Sequence, residues 1–172
     1  ERIDVRHFRD VEDEERIRYA RQIRLPELGE DGQVRLKASG ILVVGAGGLG
    51  SAALLYLAAA GVGRLGIVAP DRVDAGNLHR QVLHDTPSVG RLKTESAAAR
   101  LRALNPHVVL APTAARFEDA NAADLAAGYD LVLDATDNLE TRARINRICM
   151  RQGKPMVYGS AMGSFAVERF SV

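Results

Sequence analysis

The apolar positions of this chain fall into short runs separated by charged, Gly-rich or Pro-containing stretches. The clearest run, ILVVG at 41–45, has no polar interruption, as expected for a strand buried on both faces of a parallel sheet. SAALLYLAAA follows shortly after, and its Ala and Leu content predicts a helix over Ser51–Ala60 that Gly61-Val62-Gly63 stops. Leu65–Ala69 predicts a second strand. Helical composition over Ser88–Leu104 ends at Asn105-Pro106, and His107–Leu110 then gives a third, β-branched run. Asp130–Asp134 (DLVLD) is the fourth strand. Ile145, Ile148 and Cys149 stand at i, i+3 and i+4, predicting a helix over Asn138–Gln152, with a fifth strand at Pro155–Tyr158. Upstream, Asp10 to about Ile23 reads as a solvated helix with Ile17, Tyr19 and Ala20 facing inward. Pro26 interrupts it, and a short helix from about Gly32 to Ala38 precedes the Ser39-Gly40 turn.

Strands and helices thus alternate. The alternation predicts an α/β fold with a mostly parallel, doubly wound sheet, right-handed crossovers and a ligand site outside the carboxyl ends of the strands. The division expected is an N-terminal helical arm over residues 1–39 and a nucleotide-binding domain over 40–172.

Composition narrows the function. A chain of 172 residues, 47% hydrophobic, can bury one good core. With 23 basic and 22 acidic residues there is no overall field to attract nucleic acid or an anionic membrane surface, and with 5% aromatics and no tryptophan there is no stacking platform for single strands. No nucleic-acid or membrane partner is expected. Cys149 is the single cysteine, so neither an internal disulfide nor a zinc site built on cysteine pairs is expected, and a reducing cytoplasm suits the chain. The charged N-terminus lacks the apolar core of a signal peptide, and no stretch approaches the roughly 18 apolar residues of a membrane span.

GAGGLG at 45–50 follows a predicted strand and opens a predicted helix, the context a Rossmann nucleotide fingerprint requires. Gly45 and Gly47 allow a tight turn and close backbone approach, Gly50 allows close helix packing, and the helix N-terminus offers free N–H groups to an anion. From the residues alone the loop suits a dinucleotide, another nucleotide, or a packing turn. Dinucleotide enzymes usually carry an acid at the end of the second strand, about 20 residues on. Here that strand ends Val68-Ala69-Pro70-Asp71. Asp71 lies two residues later, about 6–7 Å along an extended chain.

Further segments, RYARQIRLPELGEDGQ (18–33), NLHRQ (77–81), VGRLKTESAA (89–98), NPH (105–107) and DLVLDATDN (130–138), accompany GAGGLG in a fixed order. Together they make the chain resemble the ubiquitin-activating-like adenylyltransferases, closest to the MoeB/ThiF/HesA type that activate sulfur-carrier proteins for molybdopterin or thiamine synthesis. The resemblance implies ATP and magnesium as cofactors, a ubiquitin-like sulfur carrier with a Gly-Gly tail as partner, and a homodimer. It also implies that Gly48 lies by the nucleotide, that Asn77, Arg80 and Lys93 face the ATP phosphates or ribose, and that Asp137, beside Asn138, holds magnesium. Arg21 would reach the phosphates of the neighbouring subunit, with Arg18 supporting the arm. The family's acid at the position of Ala69 is missing, leaving Asp71 as the nearest acid. The family's crossover loop, zinc-binding cysteine pairs and carrier-docking surface would come after Val172.

Plainer readings stand beside these. Arg80 and Arg21 could be surface arginines, and Asp137 and Asn138 could cap the next helix. His79 and His84 are read as structural, because a carboxylate nucleophile is already ionised and needs no base. Cys149 is read as a small buried hydrophobe without a catalytic role. Two other functions remain open: a scaffold of adenylyltransferase type with little turnover, and an NAD-dependent oxidoreductase, which would leave the Arg, Lys and Asp motifs unexplained.

Overall fold

Alternation along β1 (Gly40–Val44) sends Val43 to one side of a sheet and Leu42 and Val44 to the other, all buried. In the computed structural model, which describes residues 11–162 and 165–171, this strand is central. The other strands are β2 (Arg64–Val68), β3 (Val109–Thr113), β4 (Leu131–Asp134), β5 (Met156–Met162) and β6 (Phe165–Ser171), and the order across the sheet is β3-β2-β1-β4-β5-β6. β1 to β5 run parallel and β6 pairs antiparallel with β5.

The helices are α1 (Asp13–Ile23), α2 (Gly29–Ala38), α3 (Gly48–Ala60), α4 (Lys93–Leu104), α5 (Ala122–Ala127) and α6 (Leu139–Gln152). α3 and α4 cover one face, where Leu54, Ala58, Ala97 and Leu101 meet Val43, Leu65 and Ile67. α5 and α6 cover the other, where Ala122, Ala126, Ile145, Ile148 and Cys149 meet Leu42, Val44 and Val132. Each fully buried Leu, Ile or Val contributes about 1.5–3 kcal/mol, so these two clusters hold the layers together.

The strand order creates the site. The chain runs outward from β1 through β2 to β3, then returns to lay β4 on the opposite side of β1, so the connections after β1 and β4 diverge and leave a crevice. Val44 is level with both Val68 and Asp134. The segments leaving β1, β2 and β4 therefore start side by side.

Several boundaries differ from the sequence expectation. α4 starts at Lys93, not Ser88, because Ser88 ends a short 3-10 turn over Thr86–Ser88, Gly90 takes a left-handed φ of +85 while its N–H donates to Val73 O, and Leu92 bridges Arg72. α2 starts earlier, at Gly29, β3 is displaced to Val109–Thr113 and β5 runs on to Met162. The hydrophobic pattern does not predict the short α5 or the antiparallel β6. The expected start of the first helix at Asp10 lies outside the described residues. Ile17 corrects the expected inward stripe of α1: it is 80% exposed, and Glu15 takes the inward face with Tyr19 instead. Its carboxylate accepts from Lys37 Nζ at 2.5 Å and from the Glu12 N–H at 3.0 Å, so the stripe is polar where apolarity was expected.

α1 grips the far ends of the α3–α4 layer. Gln22 Nε2 donates to Ala60 O at 2.8 Å, Arg18 Nη1 to Leu104 O at 3.0 Å, and Asn105 Nδ2 to both Tyr19 Oη and Ala58 O at 2.7 Å. No helix among the described residues is long and apolar enough to cross a membrane.

Candidate functional site

The loop after β1 is built on glycine for two reasons. Gly45 has φ +103, a left-handed conformation, and a Cβ there would sit 2.7 Å from Ala135 O. At Gly50 a Cβ would lie 2.0 Å from Gly45 O, so the first turn of α3 rests directly on the loop backbone. Gly47 and Gly48 are different: a Cβ at either would meet nothing closer than 3.7 Å. Fold and ligand demands are therefore separable. Gly50→Ala is expected to destabilise by at least the upper end of the ~1–3 kcal/mol of core overpacking, whereas Gly48→Ala, with open space on that side, should leave Tm nearly unchanged. Thermal melts check both, and a normal melt for Gly50→Ala would refute the packing argument.

Arg80 lies against this loop. Gly48 faces its Cγ and Cδ, and its Nη1 is 3.3 Å from His79 Nε2, leaving the guanidinium exposed. A short turn shapes the segment. Asp74 accepts from the Gly76 N–H at 2.7 Å, and Asn77 O accepts from the N–H groups of Arg80 and Gln81 at 3.1 and 3.0 Å. Sequence reasoning missed Gln81 and Ser51. Both are buried beside the loop, and Gln81 Oε1 and Ser51 Oγ have no hydrogen-bond partner.

Lys93 opens α4 and is 7% exposed. Its N–H donates to Asp71 O at 2.9 Å, while its ammonium meets the Asp71 carboxylate at 3.6 Å. Asp71 thus turns toward α4. Ala69, at the tip of β2, is 3% exposed and packs with Ala46 and Leu83.

On the other side of β1, Asp134 ends β4 fully buried. Its Oδ1 accepts from Thr136 N and Oγ1 at 2.9 and 2.6 Å, and its Oδ2 accepts from Arg142 Nε at 2.7 Å. Arg142, also missed in the sequence, donates further to Thr136 O and Gly159 O and stacks over Tyr158, 4.7 Å from the ring centre. This network fixes the turn after β4, whose Ala135 and Thr136 lie against Gly45 and which leads into exposed Asp137. Asn138 caps α6 by accepting from the Thr141 N–H at 2.9 Å.

Arg21 is not brought to this crevice. It precedes Gln22, which is bonded to Ala60 at the C-terminal end of α3, and the 13 residues of that helix separate it from the loop by about 20 Å. Cys149 is buried in the α6 face of the core, where desolvation pushes its thiol up from the usual range.

His84 ties the glycine loop to α4. Its Nε2 lies 3.0 Å from Ala46 O and its Nδ1 2.9 Å from Ser96 Oγ, an arrangement suited to neutral imidazole donating to the carbonyl and accepting from the hydroxyl. Burial lowers its pKa from 6.5; the Ala46 carbonyl and Asp85 oppose that shift and Lys93 adds to it. A histidine with a lowered folded pKa contributes stability that is complete above about 6.5 and is lost as pH falls from there toward the folded value. Urea midpoints measured from pH 7.5 to 5 should show this loss in the wild type, with a shallower slope in His84→Gln. Equal slopes would remove His84 from the acid limb.

The geometry fits a nucleotide. An open glycine surface, a long helix N-terminus, orphaned polar atoms, a guanidinium and a nearly buried ammonium meet at the switch point of the sheet. For magnesium, Asp137 supplies a solvated hard oxygen. Elsewhere, Glu12, Glu15 and His107 place ligand atoms within 4.8 Å of one another, but Glu15 is already held by Lys37.

Residues 19–166 match the ThiF family. Over 147 residues the chain is 50% identical to a sulfur carrier protein adenylyltransferase of Thermus thermophilus, covering 86% of this chain and 54% of that protein. It is 49% identical over 150 residues to adenylyltransferase and sulfurtransferase uba4 of Aspergillus terreus, covering 87% of this chain and 31% of that protein. The chain therefore spans only a third to a half of these curated relatives. Among solved structures, the E. coli tRNA N6-threonylcarbamoyladenosine dehydratase TcdA in complex with ATP superposes with a TM-score of 0.84 at 32% identity, covering 90% of this chain and 64% of that one.

Proposed function

Because the chain belongs to the ThiF family, we propose that it is the ATP-handling part of an adenylyltransferase acting on the C-terminal glycine carboxylate of a ubiquitin-like sulfur-carrier protein. The observation that carries this reading is the convergence of the open glycine loop, Arg80, Lys93 and Asp137 at one end of the sheet. The names of the Thermus and Aspergillus relatives and the ATP bound to TcdA support it.

In the proposed reaction a carrier carboxylate, ionised at neutral pH, attacks the α-phosphorus of ATP. The bond from that phosphorus to the bridging oxygen of the β-phosphate breaks, giving an acyl-adenylate and pyrophosphate. No proton moves, which agrees with a His84 whose two nitrogens are committed to structural bonds. Charge flows onto the departing pyrophosphate, and the cations of Arg80 and Lys93 stabilise it there. Asp137 is the residue that would hold magnesium, which when bound neutralises phosphate charge. Gly45, Gly47, Gly48 and Gly50 shape the cradle, Asn77 fixes the backbone that carries Arg80, and Asn138 holds the start of α6. Arg21, remote from its own crevice, would serve that of a second copy in a homodimer.

ATP–pyrophosphate exchange with the intact protein and candidate carriers tests the reading. Exchange is expected only with a Gly-Gly carrier, and Arg80→Ala and Asp137→Ala should each reduce it by about 10²–10³-fold. Wild-type exchange no higher than in those two variants would defeat it. It would instead favour a scaffold that binds nucleotide or carrier without turnover, a reading that Ala69 at the β2 tip also supports.

A further inference from the structure

We infer that Ala69 makes the nucleotide site indifferent to the ribose hydroxyls, so that deoxynucleoside triphosphates are bound as well as ATP; this rests on the ATP reading above and specifies which nucleotides that site takes.

Ala69 occupies the place where a doubly wound fold normally reads the sugar. It lies 19 residues beyond Gly50 and directly follows Val68, whose carbonyl accepts from the Gly45 N–H at 2.8 Å. An acid at that point, one strand over from the glycine loop, accepts hydrogen bonds from the ribose hydroxyls. A methyl group accepts none, and the Ala69 N–H is already directed to Thr113 O at 3.3 Å.

The neighbouring carboxylates are committed elsewhere. Asp71 is drawn toward α4 by Lys93 through its carbonyl at 2.9 Å and its carboxylate at 3.6 Å. Asp134 spends both oxygens on Thr136 and Arg142. Asp137 follows β4, on the far side of β1 from β2. Gln81 Oε1 is orphaned, but it is a neutral amide oxygen beside Gly47, and a neutral acceptor holds a hydroxyl about half as strongly as a carboxylate. The phosphates keep Arg80 and Lys93, so affinity resides in the triphosphate and selectivity for the sugar is lost.

Calorimetric titration of the wild type with magnesium and, in turn, ATP, 2′-deoxyATP and 3′-deoxyATP decides the matter. The three dissociation constants are expected to agree within about threefold. Weakening of either deoxynucleotide by about tenfold or more overturns the inference while leaving the ATP reading intact. Binding of none of the three overturns the ATP reading and this inference with it. Ala69→Asp should open a gap of about tenfold or more between ATP and 2′- or 3′-deoxyATP. A folded Ala69→Asp protein that binds ATP without such a gap refutes position 69 as the sugar reader.

Discussion

Arg142→Ala is expected to cost about 3–5 kcal/mol of stability, a fall in Tm of roughly 6–20 °C for a chain of this size. The cause is Asp134, which is fully buried and whose Oδ2 has Arg142 Nε at 2.7 Å as its charged partner. Without the guanidinium the Thr136 bonds to Oδ1 remain, but a buried negative charge is left uncompensated, and that costs more than the intact pair ever contributes. The carbonyls of Thr136 and Gly159 lose a donor at the same time. The damage should be specific to charge. Adding Asp134→Asn to Arg142→Ala removes the stranded carboxylate and should recover part of the loss, a coupling visible in a double-mutant cycle. A drop below about 1 kcal/mol for Arg142→Ala alone would show that water reaches the carboxylate. Function should suffer beyond stability, because the same bonds hold the turn on which Asp137 stands.

Nothing in the sequence marks Arg142 for this role, and the reason shows where sequence reading stops. In TRARINR it is one arginine among three near the start of α6, and its partner lies eight residues earlier, at the end of β4 across a turn and the helix start. The strands are easier to read. β1, β2 and β4 are buried on both faces, so their hydrophobic runs carry the signal without help from context. α5 is six residues, four of them alanine, and β6 closes an edge by antiparallel pairing, and neither has a periodicity long enough to separate it from its surroundings. Ile17 and Glu15 mislead for a related reason. Hydropathy assigns the isoleucine inward, but Lys37 of the next helix satisfies a buried Glu15, a pairing that only the tertiary contact reveals. The glycine loop and the Arg80, Lys93 and Asp137 motifs are legible as residue types in order. The His84 bond to Ala46, spanning 38 residues, is not.

Lys93→Met is expected to do the reverse of Arg142→Ala: exchange of pyrophosphate into ATP should fall by about 10²–10³-fold with stability held within about 1 kcal/mol. Lys93 is 7% exposed, so its stem is packed, and methionine preserves most of that packing while deleting the ammonium. The ion pair it loses is loose, at 3.6 Å from an Asp71 carboxylate whose side chain is 63% exposed and readily solvated. A nearly buried ammonium with so weak a counter-ion is poorly compensated on its own, and a phosphate arriving at the crevice would complete it. Lys93→Arg separates charge from shape. It keeps the cation but spreads it over a planar group that the start of α4 was not built to seat, so partial activity is expected, between wild type and Lys93→Met. A Lys93→Met protein that melts normally and exchanges at the wild-type rate would remove Lys93 from the phosphate site. A large fall in Tm would instead make its ammonium a structural charge held by Asp71.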